Sequence, residues 1–123
     1  MAKKLSPIAL DILNRHLGVI KHRPALPKNE HGVPQYPKGH TGRLWVVLAA
    51  IEKLERPTVV NIANLTGLSK GNVDRFVHDI QEGFGVTITK ENAIFSIHSW
   101  GVLINPKAVA QCLTVPINRT DVE

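Results

Sequence analysis

The chain has few cysteines, few aromatic residues and no long apolar run, and each shortage excludes a class of protein. Cys112 is the only cysteine among 123 residues, so no internal disulfide can form, no zinc-ligand cluster is present, and we expect a buried thiol. Aromatic residues make up 5%, too few for a single-stranded nucleic-acid platform. No apolar run approaches the roughly 20 residues of a membrane helix, and residues 1–10 lack a signal-peptide core. We therefore expect a cytoplasmic protein with no membrane partner.

Signatures of catalysis are also missing. The sequence has no nucleophile elbow, no phosphate-binding glycine loop and no HExxH motif. Its acidic residues are few and scattered, which gives little material for a pair of catalytic carboxylates. His22, His31 and His40 recur every nine residues, an interval that no metal geometry requires. We predict no catalytic site, no metal and no cofactor.

Positive charge is concentrated in the first third of the chain. Lys and Arg total 15 against 10 Asp and Glu, which gives a formal charge of +5. Residues 1–43 hold 8 basic and 2 acidic side chains, or +6, whereas residues 44–123 hold 7 and 8, or −1. This division is typical of a basic arm that attracts phosphate, attached to a module that supplies selectivity. An ordinary solvated charged surface is the alternative.

Hydrophobic spacing predicts three segments. Residues 1–40 contain a basic helix from about Ser6 to Lys21, followed by a loop rich in proline and glycine. Residues 41–104 contain three helices and a hairpin, and residues 105–123 contain a short helix, capped by Asn105, and a tail.

The strongest pattern lies within residues 41–104. A helix from Thr41 runs to about Glu55, before Pro57, and two shorter helices, capped by Thr58 and Ser69, follow it. The turn between them is at Gly67, which permits left-handed backbone. Four apolar residues of the second short helix fall on one inward face: Val73, Phe76, Val77 and Ile80.

A hairpin is predicted after this helix. Gly83 and Gly85 end the helix, and the alternating run from Val86 to Thr89 begins a strand. We expect the tip of the hairpin at Lys90, Glu91 and Asn92, with the second strand in AIFSIHSW.

The order of helix, helix, turn, helix and hairpin resembles the winged helix-turn-helix domain of bacterial transcription regulators, with the IclR-type and MarR-type groups most similar. The resemblance covers residues 41 to about 100 and depends on Ala63, Gly67, Val73 and Phe76. It implies a mainly α fold with a small β-hairpin wing, an α+β class, here with an extra N-terminal helix. Neither the IclR-type effector domain nor the long MarR-type dimer helices are evident, so no small-molecule effector is inferred.

One face of the helix after Ser69 is suited to a DNA groove. Its outward stripe consists of Gly71, Arg75, His78 and Glu82. Arg75 can donate two hydrogen bonds to a guanine edge, Asn72 can pair with adenine, and Gly71 lets the backbone approach the groove wall. The amino end of a helix also favours phosphate. The predicted DNA contacts are Ser69, Lys70, Gly71, Asn72, Arg75, His78, Lys90 and Arg43.

These features predict sequence-specific binding of double-stranded DNA by a small, repressor-like transcriptional regulator of the bacterial cytoplasm and nucleoid. One recognition helix contacts few base pairs, so we expect a homodimer, with helix 6–21 and residues 100–113 as interface material. Three acidic residues would repel phosphate and favour an alternative, a winged-helix protein–protein adaptor: Asp74, Asp79 and Glu82. A second alternative is a replication or nucleoid accessory protein with low sequence preference.

Overall fold

A computed structural model describes residues 26–117, which form four helices and one two-stranded antiparallel sheet. Helix α1 spans Gly42–Lys53, α2 spans Val59–Thr66, α3 spans Lys70–Phe84 and α4 spans Pro106–Gln111. Strands β1, Thr87–Glu91, and β2, Ile94–Ser99, form the sheet. The α+β class is therefore confirmed. The predicted helix at residues 6–21 lies outside the described residues.

Helix α1 is at the centre of the core. Residues 46–51 are all buried, and α2, α3, α4 and β2 pack around them. The side chain of Thr41 makes no cap hydrogen bond, and instead Nδ1 of His40 accepts one from the Gly42 N–H at 2.9 Å. The helix ends at Lys53, earlier than the spacing suggests, and the next residue, Leu54, has extended backbone with ψ of 142°.

Residues 26–40 form no helix or sheet strand, as predicted, yet they contribute to the core. Val33 is 0% exposed and Tyr36 is 4% exposed. The ring of Tyr36 lies so close to Gly42 that an added Cβ there would be 2.6 Å from it. The Tyr36 hydroxyl oxygen accepts a hydrogen bond from the N–H of Ile117 at 2.8 Å. One compact unit therefore runs from Leu26 to Ile117, across the segment boundaries drawn from the sequence.

The turn of the hairpin lies further along the chain than the sequence predicts. Asn92 and Ala93 occupy the turn with φ of 54° and 67°, whereas Lys90 and Glu91 are paired in β1 with Phe95 and Ile94. The placement of Lys90 at the tip was therefore wrong. Two positive φ values suit the twist of a two-residue hairpin, but the glycine that usually marks such a turn is replaced here by Ala93.

A single backbone hydrogen bond ties the hairpin to the segment between α1 and α2. The N–H of Phe95 donates to the carbonyl of Pro57 at 2.9 Å. Because Phe95 lies in β2, this bond uses the edge of β2 that β1 does not pair with. The hairpin is thereby anchored to the helical core.

The two tryptophans and the cysteine lie at the margin of the core. Trp45 and Trp100 are half-buried against it, and the Trp45 ring centroid is 4.9 Å from that of Phe84. Cys112 was expected to be buried, but it is only half-buried. Its Sγ donates to the carbonyl of Ala108 at 3.5 Å, and burial raises the pKa of the thiol.

Candidate nucleic-acid interface

Helix α3 separates cleanly into a buried face and an exposed face. Its four inward apolar residues are buried as predicted. The outward stripe is exposed as predicted, and consists of Gly71, Arg75, His78 and Glu82. The helix continues through Gly83 to Phe84 and ends at Gly85, whose φ is 72°. Four turns of helix therefore present one uninterrupted surface to solvent.

The amino end of α3 is capped and open. The hydroxyl oxygen of Ser69 accepts a hydrogen bond from the Asn72 N–H at 3.2 Å. Lys70 and Gly71 are exposed in the first turn. A Cβ added at Gly71 would meet no atom within 4 Å, so packing among residues 26–117 does not require a glycine there.

The turn between α2 and α3 depends on a residue that sequence analysis missed. Thr66 is 1% exposed, and its Oγ1 donates to the carbonyl of Ile62 at 2.7 Å. The same oxygen accepts from the N–H of Leu68 at 3.2 Å. Gly67 follows with φ of 81°, as predicted. A threonine at the last helical position before glycine was the available signal.

Arg43 lies beside this turn. Its Nε donates to the carbonyl of Tyr36 at 2.9 Å, which fixes the direction of the half-buried side chain. Together with Gly67 and Leu68 it lines a cleft of about 90 Å³. The structure thus places Arg43 next to the chain that leads into α3.

The remaining predicted contacts differ in their surroundings. The Cζ of Arg75 lies 5.1 Å from the Phe76 ring centroid, and within residues 26–117 it forms no ion pair with Asp74 or Asp79. Lys90 makes a similar contact, with Nζ 5.3 Å from the Phe95 ring centroid. At exposed positions such as these, a cation–π contact is worth about 0.5–1 kcal/mol and does not neutralise the charge.

The charge of α3 is not simply positive. Two basic residues are outnumbered by three acidic ones, so the helix carries −1. Lys70 is in the first turn, whereas Asp79 and Glu82 lie in the second half. Any approach of a polyanion is therefore favoured at the amino end of the helix and disfavoured at its carboxyl end.

The part of the chain that the structure describes has neither a metal-binding cluster nor a membrane-spanning helix. No three His, Cys, Asp or Glu side chains there are arranged to hold a metal ion. None of the helices in residues 26–117 combines the length and the apolar character needed to cross a bilayer. In comparisons with known proteins, no family model, no curated protein and no solved structure matches this chain.

Proposed function

We propose that this chain is a winged helix-turn-helix protein that binds double-stranded DNA with sequence preference, as a small transcriptional regulator in the bacterial cytoplasm. The observation that carries the proposal is α3, whose inner face is buried and whose outer stripe is exposed along its whole length. A helix presented in this way fits the major groove of B-DNA. Helix α3 is then the recognition helix, and the β1–β2 hairpin is the wing.

The amino-terminal half of α3 supplies the base contacts in this proposal. Arg75 donates to a guanine edge and Asn72 pairs with adenine, while exposed Gly71 allows close approach of the backbone. Lys70 and Arg43 contact phosphate, since one lies in the first turn and the other beside the α2–α3 turn.

In this proposal the wing contacts the phosphate backbone of the DNA and does not contact base edges. Its attachment to Pro57 through Phe95 holds it against the helices. Lys90 lies within β1, so it meets a flanking phosphate from the side of the hairpin and not from its tip.

We further propose a homodimer formed through the surface around α4. Val102 is 98% exposed and Leu103 is 73% exposed, beside an apolar groove of about 310 Å³ whose lining includes Trp45 and Cys112. Lys107 is the only charged residue in positions 100–117, so a second copy meets little like-charge repulsion here. In a two-fold contact, Leu103 of each copy packs against the groove of the other, because Leu103 lies at the edge of the groove that it helps to line.

Selection of bound fragments from a random DNA pool, at a stated salt concentration, tests the function. We expect an inverted repeat, whose half-site spacing mirrors the two-fold axis of the dimer. Arg75→Ala should weaken binding to that site by about 1–3 kcal/mol and relax one base position. Recovery of no enriched sequence, or an unchanged preference in Arg75→Ala, would contradict base readout by α3.

The acidic side chains on α3 favour one second candidate, a winged-helix adaptor that binds protein. Asp74, Asp79 and Glu82 are all exposed and give the helix its −1 charge. The same selection separates the candidates, because an adaptor shows no DNA affinity at any salt concentration. A nucleoid or replication accessory protein would bind every fragment with similar, steeply salt-dependent affinity.

A further inference from the structure

The carboxyl end of α2 is capped from outside the helix. The last carbonyls of a helix have no partner within it, and here two of them accept from side chains in the segment Leu26–His40, which we call the brace. Nδ2 of Asn29 donates to the carbonyl of Leu65 at 2.9 Å, and Nε2 of Gln35 donates to that of Thr66 at 3.0 Å. Both amides therefore bridge more than thirty residues of sequence, a separation of 36 and 31 positions.

Each amide also holds the brace together. Oδ1 of Asn29 accepts from the N–H groups of His31 and Val33, both at 3.0 Å. Nε2 of Gln35 donates a second bond to the carbonyl of Val33 at 2.9 Å. Because Val33 is fully buried, the brace is anchored in the core and cannot shift without moving both amides.

The brace also touches the turn that leads into α3. A Cβ added at Gly67 would lie 2.7 Å from Oε1 of Gln35, so the two residues are in close approach. At its other end the brace fixes Arg43 through the carbonyl of Tyr36. The turn and Arg43 line one cleft, and the brace contacts both.

We propose that Asn29 and Gln35 are positioning residues for α3, an inference that rests on the proposed function. By fixing the last carbonyls of α2, they set the angle at which the α2–α3 turn delivers α3 into the groove. Hydrogen bonds to base edges tolerate only a few tenths of an ångström. Loss of the two brace amides therefore lowers sequence preference before it lowers phosphate-driven affinity.

Two variants remove these bonds with little change of shape. Gln35→Met keeps the length of the side chain and deletes both donors, without adding charge. Asn29→Asp keeps the oxygen that accepts from His31 and Val33, and replaces the donor to Leu65 by a negatively charged oxygen that the Leu65 carbonyl repels. Asn64→Asp is the matched control, since Asn64 is exposed on α2 and makes the same change of charge without a brace contact.

Binding to a selected site and to an unrelated duplex is measured for folded protein, with folding checked by circular dichroism. We compare Gln35→Met with the unsubstituted protein and Asn29→Asp with Asn64→Asp, which carries the same added charge. In both comparisons we expect specific affinity to fall about tenfold, the scale of one lost base contact, with non-specific affinity and salt slope unchanged. Partial unfolding would instead lower both affinities equally and leave the base preference intact. Preserved specificity in both folded variants overturns the inference.

Amide hydrogen exchange gives a readout that needs no DNA. In both brace variants the N–H groups of Gly67 and Leu68 should exchange faster, while that of Ile80 in the middle of the core is unchanged. Unchanged exchange at the turn overturns the inference, whatever the DNA result. If the unsubstituted protein shows no sequence preference, the proposed function fails, and exchange still decides whether the brace positions the turn.

Discussion

At the scale of single residues, substitutions at Gly71 and Gly83 allow an effect on folding stability to be distinguished from an effect on DNA binding. Both are exposed in α3, and an added Cβ meets nothing within 4 Å at either position. Alanine in place of a helical glycine stabilises a fold by about 0.5–1 kcal/mol. Gly71→Ala and Gly83→Ala should therefore both raise the midpoint of thermal unfolding.

Only one of the two substitutions should affect DNA. Gly71 faces the groove wall in the proposed complex, so Gly71→Ala weakens binding to the selected site, as measured by fluorescence anisotropy. Gly83 lies three turns away, near the carboxyl end of α3, and Gly83→Ala leaves affinity unchanged. Equal affinities for the two variants would contradict insertion of the amino-terminal half of α3.

At the scale of elements, the turn of the hairpin has backbone strain that a single substitution should relieve. Ala93 has φ of 67°, a left-handed conformation that costs an L-residue with a Cβ roughly 1 kcal/mol or more. Ala93→Gly should raise the free energy of unfolding by about 1 kcal/mol in urea denaturation. Asn92→Gly is the comparison, and its gain should be smaller because asparagine tolerates this conformation. A loss of stability in Ala93→Gly would contradict the turn geometry.

The sequence predicted elements well where short-range patterns decide structure. The apolar spacing in α3, the caps at Thr58 and Ser69, and the left-handed Gly67 all depend on neighbouring residues, and all were confirmed. The turn at Ala93 was missed because the usual glycine is absent.

The parts that the sequence did not predict depend on distant contacts. The brace amides of Asn29 and Gln35 reach carbonyls in α2, and no local pattern distinguishes such residues from polar residues of an exposed loop. His40 accepts the cap hydrogen bond at the start of α1, although the neighbouring Thr41 is the residue type that usually caps a helix. In the candidate interface, the exposed stripe of α3 was predictable from periodicity, whereas the position of Arg43 beside the α2–α3 turn was not.

At the scale of the whole molecule, two acidic groups predict loss of stability at alkaline pH. Burial raises the pKa of Tyr36 and of Cys112, from ordinary values of 10.0 and 9.0, while the Ile117 N–H lowers that of Tyr36 by a smaller amount. The folded chain thus holds these protons more tightly than the unfolded chain. Their stabilising effect is complete below the ordinary values and is lost as pH rises above them.

Urea denaturation between pH 7.5 and 10.5 measures this effect. The free energy of unfolding should fall as pH rises above about 9, and Cys112→Ala should flatten the decline. Tyr36→Phe should flatten it as well, after an initial loss of about 1 kcal/mol from the missing bond to Ile117. The same slope in all three proteins would contradict the assignment of the decline to these groups.

The proposed dimer is tested by mass in solution. Leu103→Asp places a charge at the exposed apolar surface beside the α4 groove, and light scattering should then give the mass of one chain in place of two. Val60→Asp is the control, since Val60 is also an exposed apolar residue, at 47%, but lies on α2. A monomeric unsubstituted protein, or dimers of both variants, would contradict this interface.

The burial of Val33 and Tyr36 limits where the chain can be cut. A deletion can test what the basic amino-terminal residues contribute to DNA binding. Such a test is informative only if the shortened polypeptide starts no later than Leu26. A polypeptide that starts at residue 41 would lack the buried side chains of Val33 and Tyr36, which would leave two cavities beside α1. It would also expose the carbonyls of Leu65 and Thr66. Failure of that shorter fragment to express or to bind would then report a damaged core, and would say nothing about the removed charges.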